Sequence, residues 1–94
     1  MLVLSRKLGN GVVIDNRFVV TVAVLAHEFV ELSLSDPNGT VAGTVTLGKT
    51  GLTPIMDRVR AVFIRTEGDK ARLGFDGPPG CRIDRSESWI PPPR

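Results

Sequence analysis

Turn-forming residues interrupt this chain every few positions, and their spacing limits what it can fold into. Gly9-Asn10-Gly11, Asp15-Asn16, Asp36-Pro37-Asn38-Gly39, Glu67-Gly68-Asp69 and Pro78-Pro79-Gly80 are all turn signals. Asn and Gly accept the positive φ that tight turns demand, and Pro presets φ at the first turn position. The stretches between them are short and rich in β-branched residues: LVLSRK (2–7), VVI (12–14), FVVTVAVLA (18–26), FVELSLS (29–35), residues 40–47, VRAVFIRT (59–66), KARLGF (70–75) and CRIDR (81–85). Such runs favour strands over helices, so the chain is expected to be all-β, with short antiparallel strands. GLTPIMD (51–57) reads as irregular, because Pro54 has no N–H to give a central strand. A C-terminal helix beginning at Ser86 is limited to one turn by the Pro-rich tail, residues 91–94.

A chain of 94 residues makes one domain or two very small ones. A domain of that size buries only about 60% of its unfolded surface, so a continuous sheet or a partner is expected to support it. Hydrophobic residues at 41% and charged ones at 23% are the balance of a folding globular chain. No apolar run approaches the roughly 18 residues of a membrane helix, and Arg6 and Lys7 interrupt the N-terminus, so a cytoplasmic protein without membrane contact is expected. The single cysteine, Cys81, and single histidine, His27, provide neither a disulfide nor a metal cluster. No cofactor, metal or catalytic residue is expected, and the chain does not read as an enzyme. Residues 1–42 hold three Lys/Arg against four Asp/Glu, and residues 43–94 hold nine against six, which favours an anionic partner for the second half.

One stretch does look like an enzyme's. GTVTLGKT (43–50) satisfies the phosphate-loop pattern G-x-x-x-x-G-K-[ST]. That loop must open a helix whose N-terminus faces the phosphates, yet Thr-Val-Thr-Leu prefers a strand, and Gly-Leu-Thr-Pro follows. A strand is the expected state.

MLVLSRKLGNGVVI, FVVTV and VELSLSDP, with the turns between them, resemble the N-terminal two-thirds of the CsrA/RsmA family of carbon storage regulators. GDKARLGFDGPPGCRIDRSESW resembles the family's last two strands. Residues 38–67, between the two matches, are surplus to one family unit, which leaves an insertion or a tandem duplication of about 1–42 and 43–90. A shift of 42 places Val3 on Val45, Lys7 on Lys49, Gly9 on Gly51, Asp15 on Asp57 and Val20 on Val62; a shift of 41 places Leu32 on Leu73, Leu34 on Phe75 and Pro37 on Pro78. The resemblance implies a small CsrA-like sandwich or barrel, built as a homodimer or as a single-chain pseudo-dimer. In the tandem case the first strand, residues 1–7, lies beside the last, 81–85. The other composite edge then comes from residues 40–50, where a shift of 42 sets Thr46 and Gly48 against Leu4 and Arg6.

The resemblance further implies sequence-specific binding of GGA loops in messenger RNA or small regulatory RNA, repression of translation, and a protein antagonist as a second partner. Leu4, Arg6 and Arg85 are the implied RNA contacts. Ile83 shares the face of Arg85 by the period-two rule, and Lys7 and Arg82 are weaker candidates. The chemistry suits these residues, because unstacked loop bases expose their edges and an arginine fork pairs with guanine O6 and N7. From the residues alone, Arg6 and Arg85 read first as solvated charges at strand ends, Leu4 as core, and Trp89 as a hydrophobic lid. A protein-interaction module that keeps the fold without binding RNA is the alternative function.

Overall fold

The computed structural model describes residues 1–36, 38–49, 51–56 and 58–89. Pro37, Asp57 and the tail 91–94 named above therefore lie outside the described residues. Nine strands follow one another: β1 (Leu2–Lys7), β2 (Gly11–Ile14), β3 (Phe18–Leu25), β4 (Val30–Ser35), β5 (Val41–Leu47), β6 (Thr53–Met56), β7 (Val59–Glu67), β8 (Lys70–Asp76) and β9 (Ile83–Arg85). A 3-10 turn at Ser86–Ser88 follows β9 and is the only helical element among the described residues, none of which forms a helix long and apolar enough to cross a membrane.

The strands form two antiparallel sheets, one of four strands in the order β1-β8-β7-β6 and one of five in the order β5-β4-β3-β2-β9. Alternation sets the faces. Leu4 on β1, Ala61 and Phe63 on β7, and Leu73 and Phe75 on β8 point inward from the four-stranded sheet, all at most 6% exposed. Val12 and Ile14 on β2, Val20 and Val22 on β3, and Leu32 on β4 meet them from the other sheet and complete the core. Each such side chain contributes about 1.5–3 kcal/mol through burial.

β6 corrects the irregular reading of residues 51–57. Pro54 sits on an edge strand, paired on one side only with β7, where a missing donor is tolerated. The strand expected over 81–85 is ordered as a ladder only from Ile83. Residues 43–47 of the phosphate-loop pattern lie within β5, paired to β4, and Lys49 is held by Glu28 at 3.0 Å. The described residues of this stretch form a strand and no phosphate cradle.

The two sheets share one pairing scheme. Val20 lies opposite Leu34 and Val22 opposite Leu32 in the five-stranded sheet; Ala61 lies opposite Phe75 and Phe63 opposite Leu73 in the other, each 41 residues further on. A register shift interrupts both ladders at the same place, between Val22 and Val24 and between Phe63 and Arg65. Leu4 opposes Leu73, and Val45 opposes Leu32. Arg6 opposes Ala71, and Leu47 opposes Val30. In ladder position Val45 and Leu47 therefore correspond to Leu4 and Arg6, in place of Thr46 and Gly48. Among the described strands only β9 lacks a counterpart, which is why one sheet has five strands and the other four.

Candidate nucleic-acid interface

β1 ends one sheet and β9 ends the other. They are not neighbours in a ladder: β1 pairs with β8, and β9 with β2. Between them lies an open groove of about 500 Å³, walled by Leu2 and Leu4 on one side and by Arg82, Ile83, Asp84 and Arg85 on the other, with Asn16, Ser88 and Trp89 at its end. The first and last strands thus come together as expected, but across a groove and not edge to edge.

Four of the six expected site residues line this groove and two do not. Leu4 is 6% exposed and serves the core and the groove together. Ile83 is half-buried and packs on the core from β9, while Arg85 is exposed on the same strand. Arg82 is exposed, with its guanidinium held by Asp84 at 2.8 Å. Its backbone is fastened to Asp15: the Arg82 N–H donates to Oδ1 at 3.1 Å, and the Asp15 N–H donates to the Arg82 carbonyl at 2.8 Å. Lys7 points away from the groove, onto the outer side of the four-stranded sheet, 3.7 Å from Asp69.

Arg6 differs most from the solvated strand-end charge, since it is only 7% exposed. Its guanidinium donates to the Ser5 carbonyl at 2.7 Å, to the Gly11 carbonyl at 3.2 Å and to Glu87 Oε1 at 2.6 Å. Alternation places Arg6 on the inward face with Leu4, and a charge buried there requires partners on every side. The Arg6 guanidinium, hydrogen-bonded to Glu87, holds that carboxyl below its usual range. The arginine thereby fixes the 3-10 turn that closes the groove.

Four residues missed in the sequence shape this end of the groove: Glu87, Gly11 and Ser86, which form a latch with Arg6, and Asn16, which holds Trp89. The Gly11 N–H donates to Ser86 Oγ at 2.9 Å, so the glycine ties both Arg6 and the 3-10 turn to β2. No other residue fits there, because a Cβ on Gly11 would lie 1.7 Å from the Val20 carbonyl oxygen. Asn16, in the left-handed conformation with φ 58°, accepts a hydrogen bond from the Trp89 indole N–H. Trp89 is half-buried at the groove end, so it combines the expected lid with a ring edge that lines the groove. No local sequence pattern marks the latch, because its hydrogen bonds join residues 75 and 81 positions apart.

The groove offers a hydrophobic floor from Leu2, Leu4 and Ile83, two arginines on one wall, and an aromatic ring at the end. Unstacked bases require such a combination: apolar surface for their faces and fixed donors for their edges and phosphates. Among the described residues no three His, Cys, Asp or Glu side chains gather as a metal site. The chain matches no family model, no curated protein and no solved structure in comparison with each.

Proposed function

We propose that this chain is a cytoplasmic RNA-binding regulator of the carbon storage type, which takes a GGA-containing loop of messenger RNA or small regulatory RNA into the groove between β1 and β9 and represses translation by covering the message. One observation carries the reading. MLVLSRK and IDRSESW, the segments at opposite ends of the chain that bear the resemblance, form the two walls and the end of a single groove.

Within this reading the chain is a single-chain pseudo-dimer that arose by duplication, which the common pairing scheme at a spacing of 41 supports. It has one RNA site. Val45 and Leu47 occupy the ladder positions of Leu4 and Arg6 at the other end of the molecule, and β9 has no counterpart to face them. Arg85 contacts the RNA directly. Arg6 acts as a positioning residue through Glu87 and Gly11.

A gel-shift titration with a GGA-loop hairpin tests the proposal. Binding is expected, weakened by Arg85→Ala by about 1–3 kcal/mol, the range for one bidentate base contact. Equal affinity for a CCA loop would refute sequence-specific readout. No binding to either loop would leave the protein-interaction module as the better account.

A further inference from the structure

We propose that the outer face of the four-stranded sheet is a second contact surface for the same RNA, holding the phosphates of the single-stranded nucleotides that flank the loop. The inference rests on the RNA reading of the groove.

Two adjacent rungs of this sheet place like charges side by side. Arg65 on β7 lies directly opposite Arg72 on β8, and Lys70 on β8 directly opposite Lys7 on β1. All four lie on the outer face: Arg6 beside Lys7 is buried, as are Ala71 and Leu73 around Lys70 and Arg72, and the register shift between Phe63 and Arg65 sets Arg65 opposite Arg72. Opposed residues in an antiparallel pair have Cβ atoms about 4.5–5.5 Å apart, and like charges at that separation destabilise a sheet. The nearby carboxylates offset this only in part. Asp69 lies 3.7 Å from Lys7 and Glu67 3.5 Å from Arg65, and both pairs are exposed and worth little. Glu67 on β7 lies opposite Lys70 on its other side, yet among the described residues no ion pair includes Lys70 or Arg72, and Arg72 has Ser5 and Arg65 as its two ladder partners.

The other sheet makes the arrangement stand out. The same ladder positions, 41 residues earlier, hold Val24 opposite Glu31 in place of Arg65 opposite Arg72. Arg60 corresponds to Val19. At the same spacing Lys70 answers to Phe29 and Lys7 to Gly48. Two sheets of one pairing scheme therefore differ in charge on their outer faces, with the cations gathered on one. Sheet formation does not require them, since the other sheet forms the same ladders without them.

Position supplies the occupant. β1 has Leu2 and Leu4 on the groove side and Ser5 and Lys7 on the outer side, so one strand borders both surfaces. An RNA strand leaving the groove across β1 meets Lys7 and Lys70, then Arg72 and Arg65. Their long flexible stems suit phosphates at irregular spacing, and the contact carries no sequence information.

Fluorescence anisotropy of the full chain tests this with two RNAs, the GGA hairpin alone and the same hairpin with single-stranded flanks, across a salt series. Flanks are expected to strengthen wild-type binding. The double variant Arg65→Gln, Arg72→Gln should lose that gain, lower the slope of log affinity against log salt by about 1.4 for two single-strand phosphate contacts, and keep its preference for GGA over CCA. Its thermal midpoint should equal or exceed the wild-type value; a lower one would overturn the argument from like-charge repulsion. Unchanged slope and gain in the variant, or no gain from flanks in the wild type, would overturn the second surface and leave the groove reading standing. Failure of the wild type to bind either RNA would overturn both.

Discussion

Arg6→Ala tests whether this arginine supports the groove or reads a ligand. The guanidinium donates three hydrogen bonds, two to main-chain carbonyls and one to Glu87, from a side chain only 8% exposed. Truncation withdraws the donor from the Gly11 carbonyl, at about 1–3 kcal/mol for a buried group left unsatisfied. It also removes two buried methylenes, Cγ and Cδ, at about 0.8 kcal/mol each. Water entering from the groove side restores part of both, which leaves a net cost of about 3 kcal/mol. For a chain of this length that lowers the thermal midpoint by roughly 15 °C. Arg6→Leu places in β1 the residue that β5 carries at the same ladder position, Leu47, and so restores the packing without the hydrogen bonds; about half the cost should return. Urea unfolding followed by tryptophan fluorescence measures the series, since Trp89 lies beside the latch. An Arg6→Ala midpoint equivalent to within 0.5 kcal/mol of wild type, roughly the ordinary surface range, would refute a supporting role and make the arginine a ligand contact.

Three further outcomes are expected. Gly11→Ala forces a Cβ against the Val20 carbonyl, so β2 must shift from β3; a loss of about 3 kcal/mol, the upper end for overpacking, should appear in the same unfolding assay. Leu73→Ala, at a core position with 0% exposure, should cost about 2–5 kcal/mol by urea unfolding and leave the groove residues in place. The folded-state pKa of Glu87 is lowered, so its contribution to stability is present above the usual carboxylate pKa and is lost as pH falls through the lowered folded value; the stability difference between wild type and Glu87→Gln should vanish at the acidic end of that window in pH-dependent thermal melts.

The strands were legible because turn residues marked nearly every boundary. β6 was not, because the rule that bars Pro54 from a central strand says nothing against an edge. The groove was half legible. Alternation set Leu4 and Arg6 on one face, but parity does not say which face is inside, and an arginine is normally assigned to water. What makes Arg6 tolerable inside is Glu87, 81 residues away, and no local pattern announces a partner at that distance. The spacing of 41 agrees with the ladders, but the spacing of 42 for the first strand does not, for a related reason. Matching Val3 to Val45 pairs a side chain 38% exposed on the outer face with one packed against the core, and a one-residue slip always exchanges the faces of a strand. Identities among valines cannot detect that slip, whereas ladder partners do.

The groove's two walls belong to different sheets, and this has a thermodynamic consequence. β1 and β9 share no ladder, so the gap between them is bridged by the latch of Arg6, Gly11, Ser86 and Glu87. Whatever lodges there fastens one half of the sandwich to the other, as a staple joins two pages. Occupancy and folding are then one equilibrium: a ligand at a hundred times its Kd adds about 2.7 kcal/mol to the native state. A loosened latch lowers the stability of the native state, and a ligand in the groove offsets that loss by mass action.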